Sequence, residues 1–198
     1  MSKKKIAIQG ELGAYSHIAA ENLYKDSEIK TCTTFEETFK QAYNDPSYKI
    51  VIPIENSLAG RVADIHYLLP KYKLQIHGEH FQAVEHNLLC KQEANISDIK
   101  FVRSHAQAIG QCQNLITKKK FKPIISADTA GSAKDLAEGK DKTIAAIASE
   151  LSAKIYNLKI LEKNIEDEKG NVTRFLIMGK NIEPVSYTHL TLPTSDLV

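Results

Sequence analysis

Gly170-Asn171-Val172-Thr173-Arg174-Phe175 is the stretch whose reading decides the fold. It follows an acidic loop, Glu166-Asp167-Glu168-Lys169, and runs into the apolar segment Phe175-Leu176-Ile177-Met178 before Gly179. A β-favouring run bounded by glycine on both sides reads as a strand. Its beginning is polar, however, and Thr173 and Arg174 are neighbours, so the pleat sends their side chains to opposite faces. A guanidinium offers a fork of donors matched to a carboxylate or phosphate, and a nearby hydroxyl can donate to another oxygen. Taken alone, the pair reads more readily as a β-favouring Thr beside a surface Arg.

Working outward, 198 residues suffice for one large domain or two small ones with a proper core. A hydrophobic content of 42% and a charged content of 25% are ordinary for a soluble globular chain. The formal net charge is only +2, and Lys3-Lys4-Lys5 and Lys118-Lys119-Lys120 lack interleaved aromatics, so no nucleic-acid partner is expected. Ile6-Ala7-Ile8 is too short for a secretory signal and no run spans a bilayer, which points to a cytoplasmic protein without a membrane partner. Cys32, Cys90 and Cys112 form no CxxC pair and read as reduced structural thiols. His77, His80 and His86 cluster without zinc-ligand spacing, so no metal is expected. Gly10-Glu11-Leu12-Gly13 has neither the GxGxxG pattern nor a Walker lysine, and no nucleotide is expected.

A repeating unit runs through the chain: a short apolar strand ends in a hydroxyl residue and a helix follows. It occurs at Ser16, Ser57, Ser104, Thr129 and Ser149. Thr34-Phe35-Glu36-Glu37 is a capping box, and Asn44-Asp45-Pro46 stops its helix. Another helix is expected from near Ala59 to just before Pro70, and another from Ser104 with Ile109, Cys112, Leu115 and Ile116 on one face. Such alternation predicts an α/β fold of mainly parallel sheets covered by helices. In open α/β sheets ligands bind beyond the carboxyl ends of the strands, where helix N-termini favour anions. Physics alone thus reaches a small anion in an α/β cleft, with no reaction specified.

Six motifs carry a further resemblance. They are Gly10-Glu11-Leu12-Gly13-Ala14-Tyr15-Ser16-His17, Pro53-Ile54-Glu55-Asn56-Ser57, Ser104-His105-Ala106-Gln107, Asp128-Thr129-Ala130-Gly131-Ser132-Ala133, Ala145-Ala146-Ile147-Ala148 and Asn171-Val172-Thr173-Arg174-Phe175. In this order, over about residues 5 to 180, they resemble the catalytic domain of prephenate dehydratase, including that half of bifunctional chorismate mutase–prephenate dehydratases. The resemblance implies two lobes of the type-II periplasmic-binding-protein kind with the active site in the cleft between them. A catalytic domain of residues 1–183 would comprise a first lobe of about 1–77 plus 173–183 and a second of about 78–172. The chain would cross near Ile76–Glu79 and near Thr173. Pro184 to Val198, Ser/Thr/Pro-rich with Asp196 as its one charge, reads as a disordered or non-native appendage. The family's C-terminal ACT regulatory domain, marked by Glu-Ser-Arg-Pro, is not found in this sequence.

The implied substrate is prephenate, a dianion that loses CO2 and water to give phenylpyruvate on the way to phenylalanine, with no cofactor. Thr173 is the implied contact for the departing hydroxyl. Arg174 is the expected carboxylate partner, unless it pairs with an acid such as Glu55. Asn56, Ser57, Ser104, Gln107, Thr129 and Ser149 are candidate donors to substrate oxygens, with Phe175, Glu55 and His105 beside them. A homodimer is the expected assembly. Two other readings stay open: arogenate dehydratase, the same chemistry on a transaminated substrate, and a non-catalytic small-anion-binding protein of the same fold.

Overall fold

The computed structural model describes residues 3–181, so the expected appendage at 184–198 lies outside them. The first lobe begins with β1 (Lys5–Gln9), α1 (Tyr15–Leu23), β2 (Glu28–Cys32) and α2 (Phe35–Asn44). It continues through β3 (Tyr48–Asn56), β4 (Gly60–Arg61), α3 (Ala63–Tyr72) and β5 (Gln75–Ala83). The second lobe holds β6 (Asn87–Cys90), β7 (Phe101–His105), α4 (Ala106–Gly110), α5 (Gln113–Lys119) and β8 (Lys122–Ser126). It closes with α6 (Thr129–Glu138), β9 (Ile144–Ala148), α7 (Glu150–Ile155) and β10 (Lys159–Glu162), after which β11 (Val172–Gly179) returns to the first lobe.

The two lobes each contain one sheet, ordered β2-β1-β3-β11-β5 and β10-β6-β9-β7-β8. This is the two-lobed α/β architecture of the periplasmic-binding-protein kind. The sheets are mixed rather than mainly parallel. β1 runs parallel to β2 and β3, and β7 to β8 and β9, but β11 lies antiparallel to both β3 and β5, and β6 antiparallel to β9 and β10. The antiparallel members are the strands next to the crossings, where the chain re-enters a sheet from its other end.

Alternation along the central strands explains the two-sided cores. Ile50, Ile52, Leu176 and Met178 pack with Phe39 of α2, whereas Val51, Phe175 and Ile177 pack with Ile6, Ile8 and Ala19 on the opposite face. A strand covered on both sides must be apolar at every position, as Ile50-Val51-Ile52 is.

Several local expectations change. The first crossing lies after Ala83, not near Ile76–Glu79, because β5 pairs with β11 along its whole length from Gln75 to Ala83. The return crossing ends at Val172, where β11 pairs with Ala83. Side by side, the two crossings are tied by Val84 N to Asn171 O at 2.8 Å and Ile165 N to His86 O at 2.9 Å. Helix α3 starts at Ala63 rather than near Ala59 and retains Pro70 in its last turn, ending where Lys73 turns left-handed (φ 48°). The helix expected from Ser104 is two helices, because the acidic loop inserts between them. Gln111 O accepts from Asp167 N at 2.7 Å, and Asn114 N donates to Asp167 Oδ1 at 3.1 Å. Of the five expected hydroxyl caps only Ser149 is an N-cap; His105 and Asp128 cap α4 and α6, while Thr129 is the first residue of α6.

The loop after β1 locks the lobes together. Gly13 O accepts from Ser149 Oγ at 2.6 Å and from Ser152 Oγ at 3.0 Å, and Tyr156 donates to Leu12 O at 2.9 Å. Gly13 has φ +90°, and a Cβ there would come within 2.8 Å of Ser152 Cα. Backbone from the two lobes meets at that point with no room for a side chain. Gly13→Ala should therefore cost at least about 2 kcal/mol from strain and overlap combined, read by denaturant unfolding. A loss below about 0.5 kcal/mol would mean that the lobes separate freely at this contact.

His17 holds the same loop, its Nδ1 accepting from Gly13 N at 2.9 Å, and burial lowers its pKa. The folded pKa lies below the unfolded one, so stability is fully present above the unfolded value of about 6.5 and is lost as the pH falls below it. His86, also lowered by burial, contributes with the same sign. The melting temperature should decline from pH 7 to pH 5, and His17→Asn should flatten part of that decline; an unchanged slope in the variant would remove His17 from the account.

Candidate active site

Between the lobes lies a cavity of about 410 Å³, lined from one side by Gln9, Tyr15, Asn56 and Arg61 and from the other by His105, Gln107, Gln111 and Thr129. Thr173 and Phe175 of β11 form part of its wall. They share one strand face, as a period of two requires.

The same alternation removes Arg174 from the cavity. On the far face its Nη2 lies 2.6 Å from Glu79 Oε2 and its Nη1 3.4 Å from Glu55 Oε1, with the guanidinium carbon 5.9 Å from the centre of the Phe81 ring. The Glu79 hydrogen bond, followed by attraction to both acids, raises its pKa further. Neither Arg174 nor Glu55 lines the cavity. The expected carboxylate partner is thus engaged with carboxylates of its own lobe.

Asn56 reaches the cavity because of a bulge. Opposite β11, Glu55 faces Arg174 and Pro53 faces Phe175, so Ile54 is one extra residue on β3. Proline cannot donate to the ladder, and a bulge is where a sheet accommodates it. The extra residue shifts the alternation, putting Pro53 and Asn56 on the cavity side and Glu55 on the other.

The remaining sequence candidates divide. Gln107, Thr129 and His105 line the cavity, although His105 Nδ1 accepts from Gln107 N at 3.3 Å as a cap. Ser104 is fully buried and donates to Ile147 O at 2.7 Å, and Ser149 is spent on Gly13 O. Ser57 Oγ accepts from Val172 N at 3.0 Å and does not line the cavity.

Arg61, Gln111, His86 and Asn171 line the wall without being candidate site residues in the sequence, where His86 stands only in the histidine cluster and Asn171 only in the opening stretch. Arg61 is exposed, and among the described residues no acid pairs with it. It sits on β4 opposite Glu55 only because the chain doubles back at Gly60 (φ +80°), a placement without a pattern in the sequence. Asp128 is the one carboxylate among the described lining residues, and it is engaged at Gly131 N as the cap of α6.

The buried wall is a hydrogen-bonded series. Asn56 Nδ2 donates to Thr173 Oγ1 at 2.9 Å and to Asn171 Oδ1 at 2.6 Å. Asn171 Nδ2 donates to Gln111 Oε1 at 2.9 Å, which also lies 2.9 Å from His86 Nε2. Tyr15 closes the series, its hydroxyl 2.6 Å from Glu85 O and 3.1 Å from His86 Nδ1. Burial, then Glu166, holds the Tyr15 pKa well above the usual phenol value. Among the described residues no group of three His, Cys, Asp or Glu converges to hold a metal, and no helix is long and apolar enough to cross a membrane.

A model of the prephenate dehydratase family matches residues 6–183. The chain belongs to the prephenate dehydratase family. It is 42% identical over 184 residues to arogenate dehydratase/prephenate dehydratase 2, chloroplastic, of Arabidopsis thaliana, covering 93% of this chain and 48% of that protein. The chain thus spans about half the length of that relative. The solved prephenate dehydratase of Staphylococcus aureus is 28% identical with a TM-score of 0.76, over 90% of this chain and 67% of that one. GqqA, described as a novel type of quorum quenching acylase, is 38% identical with a TM-score of 0.84, over 91% and 65%. Within that match the polar start of β11, Asn171 to Phe175, is set into the cleft wall by strand alternation and a bulge.

Arg174→Met should lower stability by roughly 1 kcal/mol, as for partly exposed ion pairs, read by denaturant unfolding. An unchanged unfolding free energy would mean that the pairs with Glu79 and Glu55 hold nothing together.

Proposed function

We propose that the cleft carries out the decarboxylative dehydration of prephenate to phenylpyruvate, a carbon–oxygen lyase reaction. One observation carries this reading: Thr173 presents a hydroxyl to the cavity whose oxygen is already an acceptor. Asn56 Nδ2 donates to it at 2.9 Å, and among the described residues the Thr173 proton has no protein acceptor, so it is free to meet a departing hydroxyl. In the reaction the bond to the ring carboxylate breaks and CO2 leaves. Its electron pair enters the ring, the carbon–hydroxyl bond breaks, and the hydroxyl departs as water with a proton drawn ultimately from solvent. A threonine hydroxyl is far too weak an acid to supply that proton outright, so its contribution is a hydrogen bond to the leaving oxygen. Arg61 and the amides of Gln107 and Gln111 are suited to the substrate's carboxylates, and Phe175, Phe35 and Val62 to its ring.

The prephenate form is favoured over arogenate by the same wall. An ammonium would call for a free carboxylate, whereas Asp128 is occupied as a cap. Acyl transfer, suggested by the description of one structural relative, is less well supported. Among the described lining residues no serine or threonine hydroxyl is hydrogen-bonded to an imidazole, and Ser16 gives its proton to Gln9 O at 3.2 Å. A homodimer belongs to the same proposal and is checked by sedimentation.

Incubating the protein separately with prephenate and with arogenate, and following phenylpyruvate and phenylalanine, tests the reading. Phenylpyruvate should form from prephenate without added metal or nucleotide, and faster than phenylalanine forms from arogenate. Thr173→Ala should lower turnover by about two to three orders of magnitude with a much smaller change in the Michaelis constant, and Thr173→Ser should retain far more activity. Near-normal turnover in a folded Thr173→Ala protein would sink the assignment.

A further inference from the structure

The amide groups of the cleft wall have only one consistent orientation, and backbone fixes it. Asn56 Oδ1 accepts from Leu58 N at 3.0 Å and from Ala59 N at 2.8 Å. Two N–H donors identify that atom as the oxygen, so Asn56 Nδ2 is the donor and its two protons go to Thr173 Oγ1 and Asn171 Oδ1. Asn171 Nδ2 must then be a donor, which makes the atom it meets on Gln111 the oxygen. That oxygen lies 2.9 Å from His86 Nε2 and can only accept from it, while the bare Nδ1 accepts from the Tyr15 hydroxyl at 3.1 Å, whose proton it shares with Glu85 O at 2.6 Å. His86 therefore carries a proton on Nε2.

His86 is 2% exposed and stands at the junction of the two crossings. Its backbone N donates to Glu166 Oε2 at 2.9 Å and its O accepts from Ile165 N at 2.9 Å, so the residue is fixed at both ends. With both lone pairs of its oxygen occupied, Gln111 has its Nε2 amide without a protein partner among the described residues, on a side chain that lines the cavity. A ring with the proton on Nδ1 instead would set two lone pairs against each other at Gln111. The amide would then rotate, presenting its oxygen to the cavity and breaking the order back to Asn56.

We propose that His86 is a positioning residue of this cleft: through its Nε2–H it closes the order that backbone sets at Asn56 and holds Gln111, the far member, in the one orientation that turns its amide towards the ligand. The inference deepens the dehydratase reading and rests on it for its kinetic consequence, but the orientation itself concerns the unliganded protein. His86→Leu removes the donor while keeping an apolar side chain, and His86→Gln restores an N–H in its place.

Three measurements decide it. Ring nitrogen–proton correlation spectra at about pH 8, above the imidazole range, should show His86 protonated on Nε2 and bare on Nδ1. A ring protonated on Nδ1 alone overturns the proposal. The side-chain amide resonances of Gln111 and Asn171 should move in His86→Leu and return towards their original positions in His86→Gln; amides that stay in place overturn it too. In turnover of prephenate, His86→Leu should lower kcat about tenfold with KM within about twofold, and His86→Gln should recover to within about threefold of the original. Unchanged kcat in a folded His86→Leu protein, or a Gln variant no better than Leu, would reduce His86 to packing. Should the unaltered protein act on neither prephenate nor arogenate, the reaction reading fails, and the ring and amide spectra still decide the orientation. If His86→Leu does not fold, the ring spectrum of the unaltered protein and the Gln variant carry the test.

Discussion

Asn56 Oδ1 takes the N–H groups of Leu58 and Ala59, and the wall of the cleft is ordered from that contact. The contact exists because the chain turns sharply after β3, bringing two successive amides back over the Asn56 side chain. Flipping the amide would set an NH2 against two N–H groups and turn its oxygen towards the Asn171 oxygen and the Thr173 hydroxyl, losing the bonds on both sides. Backbone geometry in the first lobe thus selects the donor side of Asn171 and Gln111 as far as the second lobe. The bulge at Ile54 is the other half of the constraint, since without it Asn56 would share the face of Arg174.

The resulting site is notable for how little net charge lines it. Arg61 is the one permanently cationic side chain among the described lining residues, Asp128, held at Gly131 N, is the one carboxylate, and the rest of the polar wall is amide, hydroxyl and imidazole. On the dehydratase reading this composition is sensible. A carboxylate that must leave as neutral CO2 loses its charge on the way to the transition state, so a cation gripping it would stabilise the ground state more and raise the barrier. Neutral donors held by the fold can orient the carboxylate without that penalty, and they need not reorganise as charge moves to the departing hydroxyl.

The sequence made some of this legible and concealed the rest for identifiable reasons. Strand alternation across Thr173 and Arg174 is local, and it correctly separates their faces; which face meets the cavity depends on neighbours in β3 and β5. The hydroxyls of Ser104 and Ser149 look like ligand donors at strand ends, yet each satisfies a buried carbonyl, Ile147 O and Gly13 O respectively. A sequence cannot distinguish a donor to a ligand from a donor to distant backbone. The series joining Tyr15, His86, Gln111, Asn171 and Asn56 links positions up to 115 apart, so no spacing rule could assemble it. The capping box at Thr34 needed only neighbours and was readable; its detail was not, since Glu37 Oε2 reaches back to Thr33 N rather than to the cap's own amide.

The position of β11 bears on how the protein is made. It is the last described strand in the chain, yet it lies inside the first sheet, between β3 and β5, with the whole second lobe synthesised before it. While a ribosome is producing residues 87–162 the second sheet can assemble from contiguous chain, but β3 and β5 face each other across a gap one strand wide, both with unpaired edges. Long-range pairing of this kind is slow to form, because the ends of a long loop must meet before any bond rewards them. The inserted lobe therefore matures first and the lobe that begins the chain matures last. The strand that fills the gap is the one bearing Thr173, so a nascent chain gains this hydroxyl of its cleft wall only in the step that completes its first sheet.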